Sequence, residues 1–371
     1  MSLRKVPDGP LREGFTTGTS ATAAAKAGLM AIIHQTPFQE VDAHLPVDKV
    51  LTIPIHTISF GDNWAKCSVI KDAGDDPDVT NGAEIGCHLL LTTTKGVSFK
   101  AGEGVGTVTL EGLELAVGEP AINPVPRKMI RSAIEKLLHD YDLECGVQVT
   151  VFVEDGEKLA KRTLNERVGI MNGLSILGTT GIVKPYSAAS YIASIEQGID
   201  VAVANDITEL VINSGARSEK FLKALFPEAK EQAYIHYGNW IGETLKKIQK
   251  SPIHKVSMGI MLGKAAKLAY GTVDTHSCVS GWNKSFIKEL AIESGMEDVD
   301  RIDDIQMAGR LPELFPFEEE SPFYQALLDC CYTHTKSLLK DETRLEIYLI
   351  HKTGKNIKYK YKHQQPTTNN Q

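Results

Sequence analysis

Residues 209–221 read ELVINSGARSEKF, in which a short apolar run ends in small residues and a stretch typical of a helix follows. The same order of strand, small-residue turn and helix begins at three other places, LSILGTTG (174–181), AYIHYGNW (233–240) and KVSMGIMLGKAAKLAYG (255–271). Four such units in series are typical of a doubly wound parallel sheet, which binds ligands at the carboxyl ends of its strands. We therefore expect the four turns to lie on one side of one sheet.

The chain before about residue 165 has a different pattern, in which helices alternate irregularly with strands. Thr16 is expected to begin a helix that reaches Ile33, and Asn123 caps a second helix that has Pro124 at its first position. Residues 344–362 predict a hairpin that turns around Gly354. Because this hairpin has no helix partner of its own, we expect it to return to the sheet of the first domain.

The expected fold class is therefore mixed: an N-terminal α+β domain, a doubly wound, Rossmann-like parallel α/β domain and a C-terminal hairpin that packs back on the first domain. The predicted divisions are an α+β domain over 1–165, the parallel domain over 166–300, helices and the hairpin over 301–363, and a disordered tail over 364–371.

Composition limits the classes of function. The 371-residue chain has 42% hydrophobic residues and a formal net charge of −7, which argues against nucleic acid as a partner but permits an anionic small ligand in a locally basic pocket. No apolar run approaches the roughly 20 residues of a membrane span, and the N-terminus lacks a signal-peptide core. We expect a cytoplasmic protein without a membrane partner. The six cysteines form no CxxC pair, so we expect no protein-bound metal.

Four short stretches could carry chemistry, and each has a plainer explanation. GEGVG (102–106) suits a tight turn better than a phosphate-binding loop, because a strand rather than a helix follows it. In GIMLGKA (259–265), Lys264 is either solvated or in contact with an anion. The acidic loop KDAGDDPDVTNGAEI (71–85) is either a solvated turn or a source of a functional carboxylate. His276 is either structural or functional.

Seven stretches in series resemble one family, the CbiD cobalt-precorrin-5B C(1)-methyltransferases. In chain order they are LREGFTTGTSATAAAKA, VIKDAGDDPDVTNGAEI, GEGVGTVTLEGL, GEPAINPVPRKMI, GLSILGTTGIVKPYS, NSGARSEKF and GKAAKLAYGTVDTHS. Each is weak alone, but the series is specific. One departure is Ser20, where the family usually has Cys, so a thiolate there cannot be essential.

The resemblance implies methylation of ring carbon 1 of a cobalt-containing tetrapyrrole by S-adenosylmethionine, in the anaerobic route to cobalamin. The cobalt travels with the substrate. Such a transfer needs in-line placement of the two reactants more than it needs a protein nucleophile. We expect the methyl donor to bind in the parallel-sheet domain near two turns, with Glu219 on the ribose hydroxyls. The expected contacts are Gly178, Thr179, Thr180, Gly181, Gly215, Ser218 and Glu219.

The substrate carries many carboxylates, which require basic partners. The candidates are Arg127, Lys184, Arg217 and Lys264. The small hydroxyl residues at the start of the first helix have two explanations, close approach to the ring or tight packing of a helix on a sheet. These residues are Thr16, Thr17, Thr19 and Ser20.

A proton lost after methylation needs an acceptor, and we favour Asp75 or Asp76 over His276. Two other classes stay open from the sequence, a non-catalytic tetrapyrrole-binding protein and a nucleotide-dependent, kinase-like enzyme. A homo-oligomer is compatible with the sequence but is not indicated by it.

Overall fold

The computed structural model describes residues 9–275 and 281–360. The chain divides into two compact units, Met1–Ala188 and Ala189–Gln371. The predicted first boundary, at 165/166, therefore differs from the observed division, and residues 166–188 belong to the first unit. The predicted tail at 364–371 and His276 lie outside the described residues. No helix within the described ranges is long and apolar enough to cross a membrane.

The first unit is built on a five-stranded sheet with the order β4-β5-β6-β9-β7. Its strands are β1 (Gly14–Phe15), β2 (Glu40–His44), β3 (Val50–Pro54), β4 (Thr57–Phe60), β5 (Trp64–Ile70), β6 (Glu84–Thr92), β7 (Gly96–Ala101), β8 (Thr107–Val108), β9 (Gly146–Val153), β10 (Ile170–Met171) and β11 (Ile182–Val183). Its helices are α1 (Thr17–His34), α2 (Pro124–Asp140), the short α3 (Gly156–Ala160) and a 3₁₀ turn at Glu166–Val168. Within the sheet, β7 and β9 are parallel and the other pairs are antiparallel.

Helix α1 packs against β5, β6 and α2, and this explains its composition. Fourteen of its 18 residues are buried, so the helix has almost no solvent face. Alanine combines the best helix propensity with the smallest side chain that has a Cβ, and it lets the helix axis approach its neighbours closely. At Gly28 even a Cβ would come within 3.1 Å of Leu89 and 3.4 Å of Ala65.

The second unit is built on a sheet with the order β13-β12-β14-β15-β16. Its strands are β12 (Glu209–Asn213), β13 (Tyr234–His236), β14 (Lys255–Met261), β15 (Arg344–Ile350) and β16 (Asn356–Lys358). Its helices are α4 (Ala188–Ala204), which begins at the boundary, α5 (Ala216–Leu225), α6 (Ile241–Gln249), α7 (Leu262–Ala269), α8 (Lys284–Glu293) and α9 (Pro322–Lys336). Three 3₁₀ turns lie at Glu231–Ala233, Val299–Asp304 and Ala308–Glu313.

The strands from β13 to β15 run parallel, and only β16 is antiparallel. Helices cover both faces: α5 lies over the face that carries Val211 and Tyr348, and α4, α6, α7 and α9 lie over the face that carries Ile212 and Met258. The order differs from the Rossmann arrangement, because the third strand of the unit, β14, lies beside the first strand, β12. The direction of winding therefore reverses between β12 and β14, and such a point is where open α/β sheets bind ligands.

The prediction that the C-terminal hairpin returns to the sheet of the first domain is wrong. Strand β15 pairs in parallel with β14 over seven residues, from Lys255↔Arg344 to Met261↔Ile350, so it belongs to the sheet of the second unit. The reason is burial: Leu345, Ile347, Leu349 and Ile350 are 8% exposed or less, and a strand that is apolar on both faces needs a covered parallel sheet.

The prediction that LSILGTTG forms one of the four units of the parallel sheet is also wrong. Residues 174–181 are not a unit of the parallel sheet, because Ile176 lies in the core of the first unit and β11 pairs with β1. A short apolar run followed by glycine does not distinguish a parallel strand from a buried loop, and here the loop covers the start of α1.

Candidate functional site

The acidic loop of residues 72–78 meets the chain just before α1, and each of its carboxylates accepts from a different donor group. Asp72 accepts two hydrogen bonds from the guanidinium of Arg12, at 2.5 and 2.9 Å, and these lower its pKa. Asp78 accepts from the buried ammonium of Lys71 at 2.5 Å. Separate partners explain how four acids coexist in one short loop.

Asp75 and Asp76, the two predicted proton acceptors, have different surroundings. Asp75 is exposed, and its Oδ2 accepts from the backbone N–H of Arg12 at 2.6 Å. Asp76 is partly buried, and its Oδ1 accepts from the N–H of Tyr186 at 2.9 Å. Burial raises the pKa of Asp76, the bond from Tyr186 opposes this shift, and the charge of Asp78 adds to it. The burial of Asp76 therefore favours uptake of a proton by this side chain.

Hydrogen-bond donors at the start of α1 are already used within the protein. The N–H of Gly18 donates to Leu177 O at 2.9 Å, and the N–H of Thr16 donates to Gly181 O at 3.1 Å. The hydroxyl of Thr19 donates to Gly181 O at 2.8 Å, and that of Ser20 to Thr16 O at 3.1 Å. Anion binding at a helix N-terminus requires free N–H groups, and these donors already have acceptors.

The hydroxyl residues at the start of α1 make hydrogen bonds within the first unit, which favours the packing explanation. Thr17, Thr19 and Ser20 are buried, and Thr17 exchanges hydrogen bonds with the backbone of Leu177. Thr16 is the N-cap and accepts from the N–H of Thr19 at 3.2 Å.

The GTTG turn lies directly on the start of α1. Gly178 has φ +141°, and a Cβ there would meet Thr16 Oγ1 at 2.3 Å. Gly181 has φ +81° and lies against Leu45 and Thr19, so both positions require glycine. Thr179 is exposed, and Thr180 Oγ1 accepts from the N–H of Ile182 at 3.2 Å. The two turns predicted to hold the methyl donor thus belong to different compact units.

Arg127 and Lys184 are the predicted basic residues in the first unit. The guanidinium of Arg127 donates to Ile122 O at 2.7 Å and to Pro120 O at 2.9 Å, and it pairs with Glu119 at 3.2 Å. Arg127 thus stabilises the segment 119–122 that precedes its helix, a role that its position in the sequence did not indicate. Lys184 is exposed just after β11.

The GEGVG stretch is a site of close backbone packing, as its plainer explanation predicted. Gly104 has φ +70°, and a Cβ there would meet Val153 O at 2.1 Å and Gly156 Cα at 2.9 Å. A Cβ on Gly106 would meet Ile170 at 2.4 Å.

In the second unit, the loops that follow β12 and β14 flank the point where the winding reverses. Gly215 follows β12 with φ +141°, and Gly263 lies in the first turn of α7 after β14. A Cβ added to either glycine would have nothing within 4 Å, so each exposes bare backbone to open space. Ser218, in the first turn of α5, donates to Gly215 O at 2.9 Å.

Two residues that the sequence did not single out complete this edge. Asn213 ends β12, and His236 ends β13 opposite it in register. Nε2 of His236 lies 2.5 Å from Oε2 of Glu219, and Lys223 lies 3.5 Å from the other oxygen of that carboxylate. Glu219 is 7% exposed, so the pair ties α5 to β13. The sequence signal for the role of Asn213 is its position immediately before Ser-Gly, because asparagine side chains often bond to the backbone of such turns.

Lys264, predicted to contact the substrate, forms hydrogen bonds within the second unit. Its ammonium donates to Gly238 O, to Asn239 Oδ1 at 2.5 Å and to Thr275 Oγ1 at 3.2 Å. Burial, helped by the charge of Lys267, lowers the pKa of Lys264 to about 8. Lys264 therefore fastens the segment at 275 to the loop after β13.

Arg217 is exposed in the first turn of α5 and donates to Lys352 O at 3.2 Å. Across residues 9–275 and 281–360, no group of three or more His, Cys, Asp and Glu side chains could hold a metal ion.

Comparison with known proteins gives consistent names. The profile of the CbiD family matches residues 4–185. A cobalt-precorrin-5B C(1)-methyltransferase of Prosthecochloris aestuarii is 45% identical over 329 residues, which cover 87% of this chain and 89% of that protein. One of Priestia megaterium is 41% identical over 341 residues, covering 91% and 93%. A solved structure, the cobalamin biosynthesis protein (cbiD) of Archaeoglobus fulgidus, is 29% identical, with coverage of 78% and 86% and a TM-score of 0.39.

Proposed function

The chain belongs to the CbiD family, and we propose on that premise that it methylates carbon 1 of cobalt-precorrin-5B to give cobalt-precorrin-6A in anaerobic cobalamin biosynthesis. The observation that carries the proposal is identity of 41–45% to enzymes of that name over nearly the whole length of both chains. The chain is thus a methyltransferase that acts on a small molecule, with the cobalt bound in the substrate.

We propose that S-adenosylmethionine is the methyl donor and that it binds at the strand ends of the second unit. When bound, it supplies a methyl group on a sulfonium, which is electrophilic without further activation. The residues fit such a ligand, because Gly215 and Gly263 expose backbone on both sides of the reversal point. Gly215 lines this place, the buried Ser218 supports it by donating to Gly215 O, and Glu219 is held by His236 and Lys223. The turn Gly178–Gly181 is assigned to the first unit, where it supports α1.

The chain's own task is then mainly placement. The ring carbon of the substrate is the nucleophile, so the protein must hold two ligands in line and exclude alternatives. A proton that leaves the macrocycle after methylation needs an acceptor. Asp76 is proposed for this role because burial raises its pKa, which favours uptake of a proton. Its hydrogen bond from Tyr186 fixes one oxygen and leaves the other for the transfer.

An anaerobic assay with cobalt-precorrin-5B and S-adenosylmethionine tests the reaction. The product should be heavier by one methyl group in mass spectrometry. If the substrate stays intact although the upstream enzymes are active in the same tube, the methyltransferase assignment is wrong. The protein would then be a non-catalytic tetrapyrrole-binding protein.

The same assay tests the proton acceptor. Asp76→Asn keeps the acceptor oxygen for Tyr186 and should lower kcat by about 10²-fold, as for a lost acid–base group. Asp75→Asn is the matched control and should keep most of the activity. If both Asp variants retain the wild-type kcat and His276→Ala loses it, the histidine is the acceptor.

A further inference from the structure

The side chain of Asn213, at the carboxyl end of β12, is completely buried and only half used. Its Oδ1 accepts from the N–H of Gly215 at 2.9 Å, and the hydroxyl of Ser218, which donates to Gly215 O, lies 3.3 Å from the same oxygen. Its Nδ2 is buried and has no hydrogen-bond partner in the part of the chain that the structure describes. A buried donor without an acceptor is unfavourable, so this amide indicates an acceptor that the folded chain does not itself provide.

The orientation of this amide is fixed by its neighbours. Turning it over would place Nδ2 against the N–H of Gly215, and two donors would then face each other. The oxygen must therefore face the N–H of Gly215, and Nδ2 must occupy the other position of the amide.

The surroundings of Asn213 favour a negatively charged acceptor. It stands just before α5, a helix of 10 residues, and the first N–H groups of a helix have no intrahelical partner and carry partial positive charge. Arg217 adds an exposed guanidinium in the first turn. The acid of that turn, Glu219, is held against His236 and Lys223. Gly215 leaves open space beside the helix start.

We propose that Asn213, Arg217 and the first turn of α5 form a carboxylate subsite that binds the amino-acid end of the methyl donor. This inference rests on the proposed function, because the donor is the ligand assigned to these strand ends. An amino-acid carboxylate has two oxygens, so one can accept from Nδ2 of Asn213 while the other faces the helix N-terminus and Arg217. The subsite would fix one end of the donor and thereby help to set the direction of its sulfonium.

Two ligands and two variants test the subsite by isothermal titration calorimetry. S-adenosylhomocysteine has the amino-acid end, and 5′-methylthioadenosine lacks it. Asn213→Asp keeps an acceptor oxygen for Gly215 and Ser218 but replaces the donor by a second acceptor. It should weaken S-adenosylhomocysteine binding by about tenfold or more, the effect expected for loss of a hydrogen bond to a charged group. Binding of 5′-methylthioadenosine should stay within about twofold.

Arg217→Ala keeps the test decisive if Asn213→Asp does not fold, because Arg217 is exposed. It should weaken S-adenosylhomocysteine binding by about threefold or more and leave 5′-methylthioadenosine binding unchanged. Lys220→Ala, which removes another exposed cation from the same helix one turn further along, is the matched control and should bind both ligands as the wild type does.

The outcomes separate this inference from the proposed function. If the wild type binds S-adenosylhomocysteine and the variants at 213 and 217 bind it equally well, the subsite is wrong and the donor assignment stands. Equal weakening of both ligands would also contradict the subsite. Unchanged donor binding with a raised KM for the tetrapyrrole would assign the anion to the substrate and overturn the inference. If the wild type binds neither ligand, the donor assignment itself fails.

Discussion

Asp76 and Asp78 are two residues apart, and the fold shifts their pKa values in opposite directions. Burial raises both, but at Asp78 the ammonium of Lys71 and two bonds from Thr80 outweigh it, so its pKa is lowered. Asp78 therefore stabilises the fold above its unfolded pKa, and this contribution is lost as the pH falls through its folded pKa. For Asp76 the sign is reversed: its contribution is present in acid and is lost as the pH rises through its folded pKa. The loop thus contains one structural acid and one suited to proton uptake.

Arg127→Ala should destabilise the fold rather than weaken substrate binding. The change removes the donors for Ile122 O and Pro120 O and the partner of Glu119. The free energy of unfolding, measured in urea, should fall by about 1–3 kcal/mol. Arg131→Ala, on the same helix and with an exposed side chain that contacts the ring of Phe99, should cost less. Unchanged stability together with a raised KM for the tetrapyrrole would restore Arg127 as a substrate ligand.

Among the elements, the helices were predictable because their signals are local. The predictions of a helix from Thr16 to Ile33 and of one after Asn123 are confirmed, within one residue, by α1 and α2. A cap, an early proline and a periodic apolar stripe act within a few residues, so the sequence contains them directly.

Two features were out of reach of the sequence because they depend on distant partners. The run LSIL has the composition of a parallel strand, yet its place is set by α1, about 160 residues earlier in the chain. The partner of β15 is likewise decided by burial on both faces rather than by its own residues. Dependence on distant partners also limits what the sequence predicts about the site. The open glycine at 215 was predictable from NSG, whereas the amide of Asn213 lacks a partner only because of how the folded chain surrounds the end of β12.

Helix α1 should tolerate no larger side chain at its buried alanines. Ala24 is fully buried in the hydrophobic core of the first unit, so Ala24→Leu must displace packed neighbours. We expect a loss of about 1–3 kcal/mol in the free energy of unfolding, the usual cost of overpacking. Met30→Leu, a change of similar volume at a partly exposed position of the same helix, should cost less than about 1.5 kcal/mol. Equal stability of both variants would mean that α1 is not held as tightly as described.

At the scale of the whole molecule, each unit has its own hydrophobic core, so a ligand of one unit should protect that unit. At 100 times its Kd, S-adenosylhomocysteine should stabilise the unit that binds it by about 2.7 kcal/mol. Amide hydrogen exchange should therefore slow in β12, β14 and α5 and stay unchanged in β5 and β6. Protection centred on β11 and the start of α1 would instead move the donor to the first unit, with Gly178–Gly181.

The small antiparallel strand β16 has a consequence for solubility. It covers the last three residues on the outer edge of β15, pairing Tyr348, Leu349 and Ile350 with Lys358, Ile357 and Asn356. Strand β15, RLEIYLI, is a segment of high β-propensity that would recruit other chains if it were the edge of the sheet. With β16 in place, the sheet ends on a strand of three residues that carries a lysine, and the opposite edge, β13, is equally short. We therefore expect the end of β15 to be protected from pairing with other chains only after residues 356–358 have been synthesised and have paired with it.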